Sequence, residues 1–474
     1  MIDHKLFLEK KHGFVIAPAG YGKTHTIAEC LQHADGKQLI LTHTHAGIAS
    51  IKQKILQSNP TAINYHIETI TGYAQKYVLA YYRGGEMPSQ ENTEEYYPFI
   101  LEKATHIFKL KSIQKVIAKS YRRIFVDEYQ DCTLSQHKLI SSLSDILPIY
   151  VLGDPMQGIF NFNGESMIDL NNSDHMNLFL HNQYELKTPW RWKNANEKLG
   201  ETLQSIRDLI LNRRPIDLRQ FKSISYINIK SEDEIYKPGT GYNTEFAKLL
   251  NQEGLLILHH NSTSVHPRKK IISKFRIPIN LVESIDDKDF YKFARKFDIP
   301  SYETVGSIIF NTALELFNKT EIKLWFNEAG LKDKRKPEDQ LISYPIADKI
   351  AIAKENKSTK AVAQALRLVH DIKSVRSYRR ELLFSLCNAL ESAEEDQSTV
   401  YESMVNQRNL IRRMGRRNYG RNIGTTLLTK GLEFDNVIVL DAHLFKCPKN
   451  LYVALTRASK TLTVFSKEPV LNPY

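Results

Sequence analysis

Eight consecutive residues, Ala17, Pro18, Ala19, Gly20, Tyr21, Gly22, Lys23 and Thr24, have the types and spacing of a loop that cradles phosphate. Gly20 and Gly22 allow successive backbone N–H groups to turn inward as an anion nest. A helix starting just after them adds its positive N-terminal end. Lys23 is then placed to reach the β and γ phosphates, and the Thr24 hydroxyl to ligate Mg2+. Far downstream, the apolar run opening IFVDEYQDCT ends in adjacent carboxylates, Asp127 and Glu128. Asp127 can complete a magnesium shell while Glu128 orients or deprotonates a water. Together the two segments describe hydrolysis of a nucleoside triphosphate, in which a protein mainly supplies positioning and charge stabilisation. The alternatives are a Gly-rich turn for the loop and a solvated turn or helix cap for the carboxylates.

The elements that must hold these residues are legible in the alternation of patterns. GFVIAP reads as a strand and KTHTIAECLQ as a helix. KQLILT is a second strand, followed by a helix through IASIKQKIL, and RRIFVDE and LPIYVLGD are apolar runs ending in carboxylates. Such alternation predicts βαβ units and a parallel sheet, with ligands at the carboxyl ends of the strands. Residues 73–121 are polar, Tyr-rich and helical in pattern, an insertion in the first α/β domain. A second α/β pattern begins near Gln183 and runs through SISYINIK and GLLILHH. It is interrupted by a charged, helically periodic stretch, and resumes at NIGTTLLTKGLEFDNVIVLDA. The predicted fold is α/β with two parallel-sheet motor domains, each carrying a reduced, mainly helical insertion. The expected boundaries are 1–72 with 122–182 for the first domain, 73–121 for its insertion, 183–285 with 422–474 for the second domain, and 286–421 for the second insertion.

Composition narrows the function class. Of 474 residues 42% are hydrophobic and 25% charged, which fits folded domains rather than a disordered chain. The net charge of +12 favours a polyanionic partner such as nucleic acid. Cys30, Cys132, Cys387 and Cys447 form no CxxC pair, which argues against zinc and iron–sulfur frameworks and fits a reducing cytoplasm. The start MIDHKLFLEKKHG reads as no signal peptide, and no apolar run approaches the roughly 18 residues of a membrane span. A cytoplasmic location without membrane contact is expected.

DEYQD resembles the second helicase motif of the UvrD/Rep/PcrA-type superfamily 1 DNA helicases. VLGDPMQGIF, PWRW, TTLLTKGLEFDNVIVLDA and LYVALTRASKTL then resemble that family's motifs three to six, in order. The resemblance implies two RecA-like P-loop domains and a DNA-dependent ATPase that uses ATP and Mg2+. It implies translocation on single-stranded DNA, 3′ to 5′, on a substrate that is a single strand or a duplex with a single-stranded tail. Residue by residue, Gln157 would sense the γ-phosphate, while Arg191 and Arg457 would approach the phosphates as arginine fingers. Glu433 would bond the ribose, and Trp190, where the family has a Tyr, would stack on adenine, with His25 beside the phosphate loop completing the nucleotide contacts. Core packing is the alternative for Trp190 and Trp192. Thr44, Thr69, Phe160 and Phe162 fall on positions that contact DNA, with core packing the alternative for both phenylalanines. Arg412, Arg413, Arg416, Arg417 and Arg421 form a run that can track phosphates or line a solvated helix face.

The sequence also departs from the family. No glutamine precedes the phosphate loop, where the family reads adenine, and Leu427 replaces the motif-five histidine. Both insertions are short. In compact plan the chain resembles the UvrD-like subunit of the Gabija anti-phage system, which works with a separate nuclease subunit and responds to DNA. This second resemblance implies an alternative: a DNA-sensing ATPase subunit that activates a partner nuclease and does little unwinding itself.

Overall fold

The computed structural model describes residues 2–58, 64–88, 92–160, 165–275, 277–282, 288–299, 301–414 and 420–474. Six strands open the fold: β1 (His12–Ile16), β2 (Gln38–Thr42), β3 (Tyr65–Thr69), β4 (Arg123–Val126), β5 (Ile149–Gly153) and β6 (Gln183–Glu185). They form one sheet in the order β3-β2-β4-β5-β1-β6, with every pairing parallel. All five residues of β2 and of β5 are buried, as expected of strands covered on both faces. Alternate residues feed two cores. Phe14, Leu39, Leu41, Ile124, Val126 and Val151 join one; Val15, Ile40, Phe125, Tyr150 and Leu152 join the other.

The stretch read as a helical insertion forms helices Ile70–Tyr81, Thr93–Ile107 and Lys111–Ser120. Their apolar residues share the first of those cores with the strands. Ile113 and Ile117, four apart on one helical face, are 3% and 0% exposed, and each contributes about 1.5–3 kcal/mol by burial. Gln183–Glu185, at the expected opening of the second α/β pattern, is an edge strand of the first sheet, beside β1.

Further strands are β7 (Ile216–Asp217), β8 (Ile224–Asn228), β9 (Leu255–Leu258), β10 (Asn280–Leu281), β11 (Phe326–Asn327), β12 (Gly330–Leu331), β13 (Arg421–Gly424), β14 (Phe434–Val439), β15 (Ala458–Ser466) and β16 (Val470–Leu471). Six make a second sheet, in the order β10-β13-β9-β14-β15-β8. Two six-stranded parallel sheets with surrounding helices are the α/β, RecA-like architecture expected from the sequence.

By contacts the chain divides into two compact units. One comprises Met1–Asn228, Arg413–Arg416 and Lys430–Tyr474, the other Ile229–Arg412 and Arg417–Thr429. The first holds the whole first sheet and the parallel trio β14, β15 and β8. The second holds the parallel trio β10, β13 and β9 and a helical core. Helices Val305–Leu316, Thr359–Asp371 and Arg380–Glu395 supply much of that core, at the positions where the sequence shows helical periodicity. No helix among the described residues is long and apolar enough to cross a membrane.

Candidate active site

Every side chain of the phosphate-type site described below belongs to the first unit. The Ala17–Gly22 loop leaves the carboxyl end of β1 and enters the helix Lys23–His33. Gly20 and Gly22 have φ of 77° and 88°, the left-handed region that glycine enters without strain. A Cβ on Gly20 would lie 2.7 Å from the Trp192 ring, and one on Gly22 would lie 3.1 Å from Trp190. The loop is therefore pressed against the PWRW segment. The Arg191 N–H bonds the Gly20 carbonyl at 3.0 Å. Ala17 N–H donates to Gly153 at 2.9 Å, Tyr21 N–H donates to Pro18 at 3.1 Å, and Ala19 N–H donates to the Tyr452 hydroxyl at 3.3 Å. Thr24 is buried, and His25 holds Ser58 at 3.2 Å.

The two carboxylates follow β4 directly. Lys23 Nζ lies 2.6 Å from Glu128 and 3.7 Å from Asp127. Glu128 sits at φ 56°, a backbone conformation costing a non-glycine residue roughly 1–3 kcal/mol. Gln130 donates to its carboxylate. Burial favours the protonated form of Glu128, but Lys23 and Lys430 hold the group well below the usual carboxylate range. Burial also raises Asp127, and there it outweighs Lys23. Burial opposes the charge of Lys23 as well, yet Glu128 and Asp127 raise its proton affinity. The result is a charged ammonium held among carboxylates.

Beyond these, the network contains residues that sequence reasoning had assigned no role. Lys430, 4% exposed, bonds Asp131 and the Gln157 carbonyl, and its ammonium lies 4.7 Å from the centre of the Phe160 ring. Burial lowers Lys430 and pushes Asp131 up to about 7. The Gln157 side chain donates through Nε2 to Asp154 at 2.9 Å, and its Oε1 accepts from Arg457 at 3.5 Å. Arg207 bonds Asp154 at 2.8 Å and the Tyr452 hydroxyl at 3.2 Å. Lys430, Asp131 and Asp154 lie inside recognised motif strings and were available to reading. Arg207 lies on the amphipathic helix Glu197–Leu211, and no local signal marks it.

The arginine pair converges on the same network. Arg457 is 2% exposed and donates to Val453 and Leu432 carbonyls at 3.0 and 3.1 Å. Burial, reinforced by Arg191, lowers it to about 10. Arg191 lies 2.8 Å from Glu433 and donates to the Thr456 carbonyl at 2.6 Å. Burial works against Glu433, but Arg191 leaves its carboxyl below the usual range. Trp192 is core, with its indole N–H on Ala458 at 2.7 Å, whereas Trp190 is 44% exposed over Gly22.

Thr44 and Thr69 sit just after β2 and at the end of β3. Each caps a helix, accepting from Gly47 and Gly72 N–H at 3.0 Å. Phe162, Arg416 and Arg417 lie outside the described residues. Arg421 opens β13 and donates to the Leu250 carbonyl.

Residues 4–163 match the family described as AAA domain. The RecBCD enzyme subunit RecB of Buchnera aphidicola is 31% identical over 88 residues, covering 18% of this chain and 7% of that protein. Gabija protein GajB of Bacillus cereus is 25% identical over 249 residues, covering 44% of this chain and 49% of GajB. The chain thus spans half or less of the curated relatives it matches. Among solved structures, an arterivirus nonstructural protein 10 helicase in complex with DNA aligns at 11% identity and a TM-score of 0.26, covering 53% of this chain and 49% of that one. The PRRSV helicase aligns at 15% and 0.27, covering 56% and 44%. In motif order, sheet architecture and curated relatives, the chain is similar to UvrD-type superfamily 1 helicases and, over 44% of its length, to the Gabija subunit GajB.

Proposed function

We propose that this protein is a nucleic-acid-dependent ATPase of the helicase type. One observation carries the reading. Lys23, Glu128, Gln157 and Arg457, far apart in sequence, belong to one buried network beside the Gly20–Gly22 turn. In this reading the loop N–H groups and Lys23 bind the triphosphate. Glu128 orients the attacking water as a carboxylate, kept ionised by Lys23 and Lys430. Gln157 reports on the terminal phosphate, and Arg191 and Arg457 stabilise charge as it develops there. In the same reading Trp190, exposed above Gly22, stacks on the base and Glu433 bonds the ribose. The hydroxyl of Thr24 and the carboxylate of Asp127 are hard oxygen donors that suit Mg2+. The raised proton affinity of buried Asp127 marks a carboxylate that a dication would compensate. When bound, the ion would neutralise phosphate charge. Lys23, now between both carboxylates, must turn toward the nucleotide for turnover.

The nucleic acid in this reading is single-stranded DNA, with motion 3′ to 5′ and contacts from Thr44, Thr69, Phe160 and Phe162. Stacking on aromatic rings tolerates any sequence and contributes about 1–3 kcal/mol per base. Lys430 touches both Gln157 and Phe160, which supports coupling between nucleotide and strand. The deciding experiment measures ATP hydrolysis with no nucleic acid, with single strands, with blunt duplex and with duplex bearing a 3′ overhang. Stimulation by single strands and by the overhang is expected, and Lys23→Ala should abolish turnover under all four conditions. Equal rates in all four would overturn DNA dependence.

A second reading is favoured by the likeness to GajB and by Leu427, which stands 40% exposed in place of the motif-five histidine. The chain would then sense DNA and activate a partner nuclease. Robust strand displacement by the isolated protein would exclude it.

A further inference from the structure

A second charged surface lies away from the active site. From Lys103 to Val126 the chain carries seven lysines and arginines and no acidic residue. Two are neutralised locally, Lys103 by Glu102 at 2.8 Å and Arg123 by Asp35 at 2.6 Å. Lys109, Lys111, Lys115, Lys119 and Arg122 are exposed, and no ion pair forms on them among the described residues. In the helix Lys111–Ser120, Ile113 and Ile117 face the core, so Lys111, Lys115 and Lys119 form a stripe at i, i+4 and i+8. The helix runs into β4, and the Arg122 N–H bonds the Lys37 carbonyl just before β2. The stripe therefore lies toward the amino ends of the parallel strands, while Asp127 and the phosphate loop sit at their carboxyl ends.

The helix breaks local rules to carry this charge. Lys111 opposes the helix dipole in the first turn, the N-cap Leu110 makes no side-chain cap, and like charges four apart repel. Local inconsistency without internal compensation marks functional positions. Nucleic acid fits better than a protein groove, because five exposed cations with no ion pair among the described residues outweigh the two exposed apolar side chains between them, Leu110 and Val116. A duplex fits better than a single strand, because no aromatic ring interleaves the stripe to stack on bases. Lys111 to Lys119 spans about 12 Å, at 1.5 Å per residue. Over that length a duplex presents roughly seven phosphates.

We infer that Lys111, Lys115 and Lys119, flanked by Lys109 and Arg122, form a second nucleic-acid surface that grips the phosphate backbone of a duplex. The chain would hold duplex on this face independently of the strand engaged at the catalytic edge. The test uses the full chain without nucleotide and a fluorescent blunt duplex, with affinity followed between about 50 and 200 mM NaCl. The triple variant Lys111→Gln, Lys115→Gln, Lys119→Gln should bind about tenfold or more weakly, and its log–log salt slope should fall by roughly 2 to 3. A matching triple change to Arg should restore both. Basal ATPase should not change, and the unfolding midpoint should hold or rise, because the Gln changes remove repulsion along the helix. An unchanged slope in the Gln variant overturns the inference. So does displacement of the duplex by polyglutamate at equal charge, which would mark a surface for acidic protein. Because no nucleotide is present, Lys23→Ala should leave duplex binding intact, which separates this result from the fate of the ATPase reading.

Discussion

Arg457 shows how much work one side chain is asked to do at the residue scale. Its guanidinium holds two backbone carbonyls and reaches Gln157, all within a buried site. Lysine has the charge but not the planar fork. Arg457→Lys should therefore lower kcat by about 10³-fold or more, the range of arginine fingers, while KM for ATP changes only a few-fold. A kcat within tenfold of wild type in steady-state assays would remove Arg457 from the chemistry. His43, beside Cys132 at 3.5 Å, gives a stability prediction. Burial, with Lys430 adding to it, lowers its pKa from 6.5 to about 3. The unfolded chain thus binds the extra proton first, and stability falls as pH drops from 6.5 toward 3. By pH 5 the loss is about 2 kcal/mol. Urea unfolding of wild type and His43→Asn should converge across this window; a constant gap would refute the assignment.

At the scale of elements, the phosphate loop depends on its packing against PWRW as well as on its own glycines. Gly20→Ala meets two obstacles, a φ of 77° and a Trp192 ring 2.7 Å from the new Cβ. It should cost about 1–3 kcal/mol in backbone strain alone and weaken ATP binding, read by calorimetry. The helix Glu197–Leu211 acts through Arg207. Arg207→Met leaves Asp154 buried without its ion pair and should destabilise by about 3–5 kcal/mol in urea titration. Tyr452→Phe removes only hydrogen bonds and should cost about 1 kcal/mol. Equal losses would mean that Arg207 serves packing rather than Asp154.

At the scale of the whole molecule, the question is whether hydrolysis drives strand separation. The ATPase reading predicts that wild type displaces a strand from a 3′-tailed duplex and that Lys23→Ala does not. Displacement only on 5′-tailed duplex would reverse the proposed polarity. Both parallel sheets could be expected from the chain, because strands covered on two faces need long apolar runs, and those runs are visible at β2, β4 and β5. Less visible was that the helices of residues 73–121 share one core with the first sheet, since core sharing depends on which faces meet.

Local chemistry was available to a reader of the sequence alone. Spacing around Gly20, Gly22 and Lys23 is set by backbone geometry within one turn, and the strand before Asp127 by local apolar pattern. Both are short-range constraints that neighbouring residues express. The tertiary structure decided the rest: Lys430 on Asp131, Arg207 on Asp154, Trp192 beneath Gly20, and Tyr452 on the Ala19 amide. These pairs join residues far apart in the chain; the polar ones are held because a buried polar group must find a partner, and Trp192 by close packing against a residue without a Cβ. That requirement acts through space, so no periodicity or spacing along the chain records it.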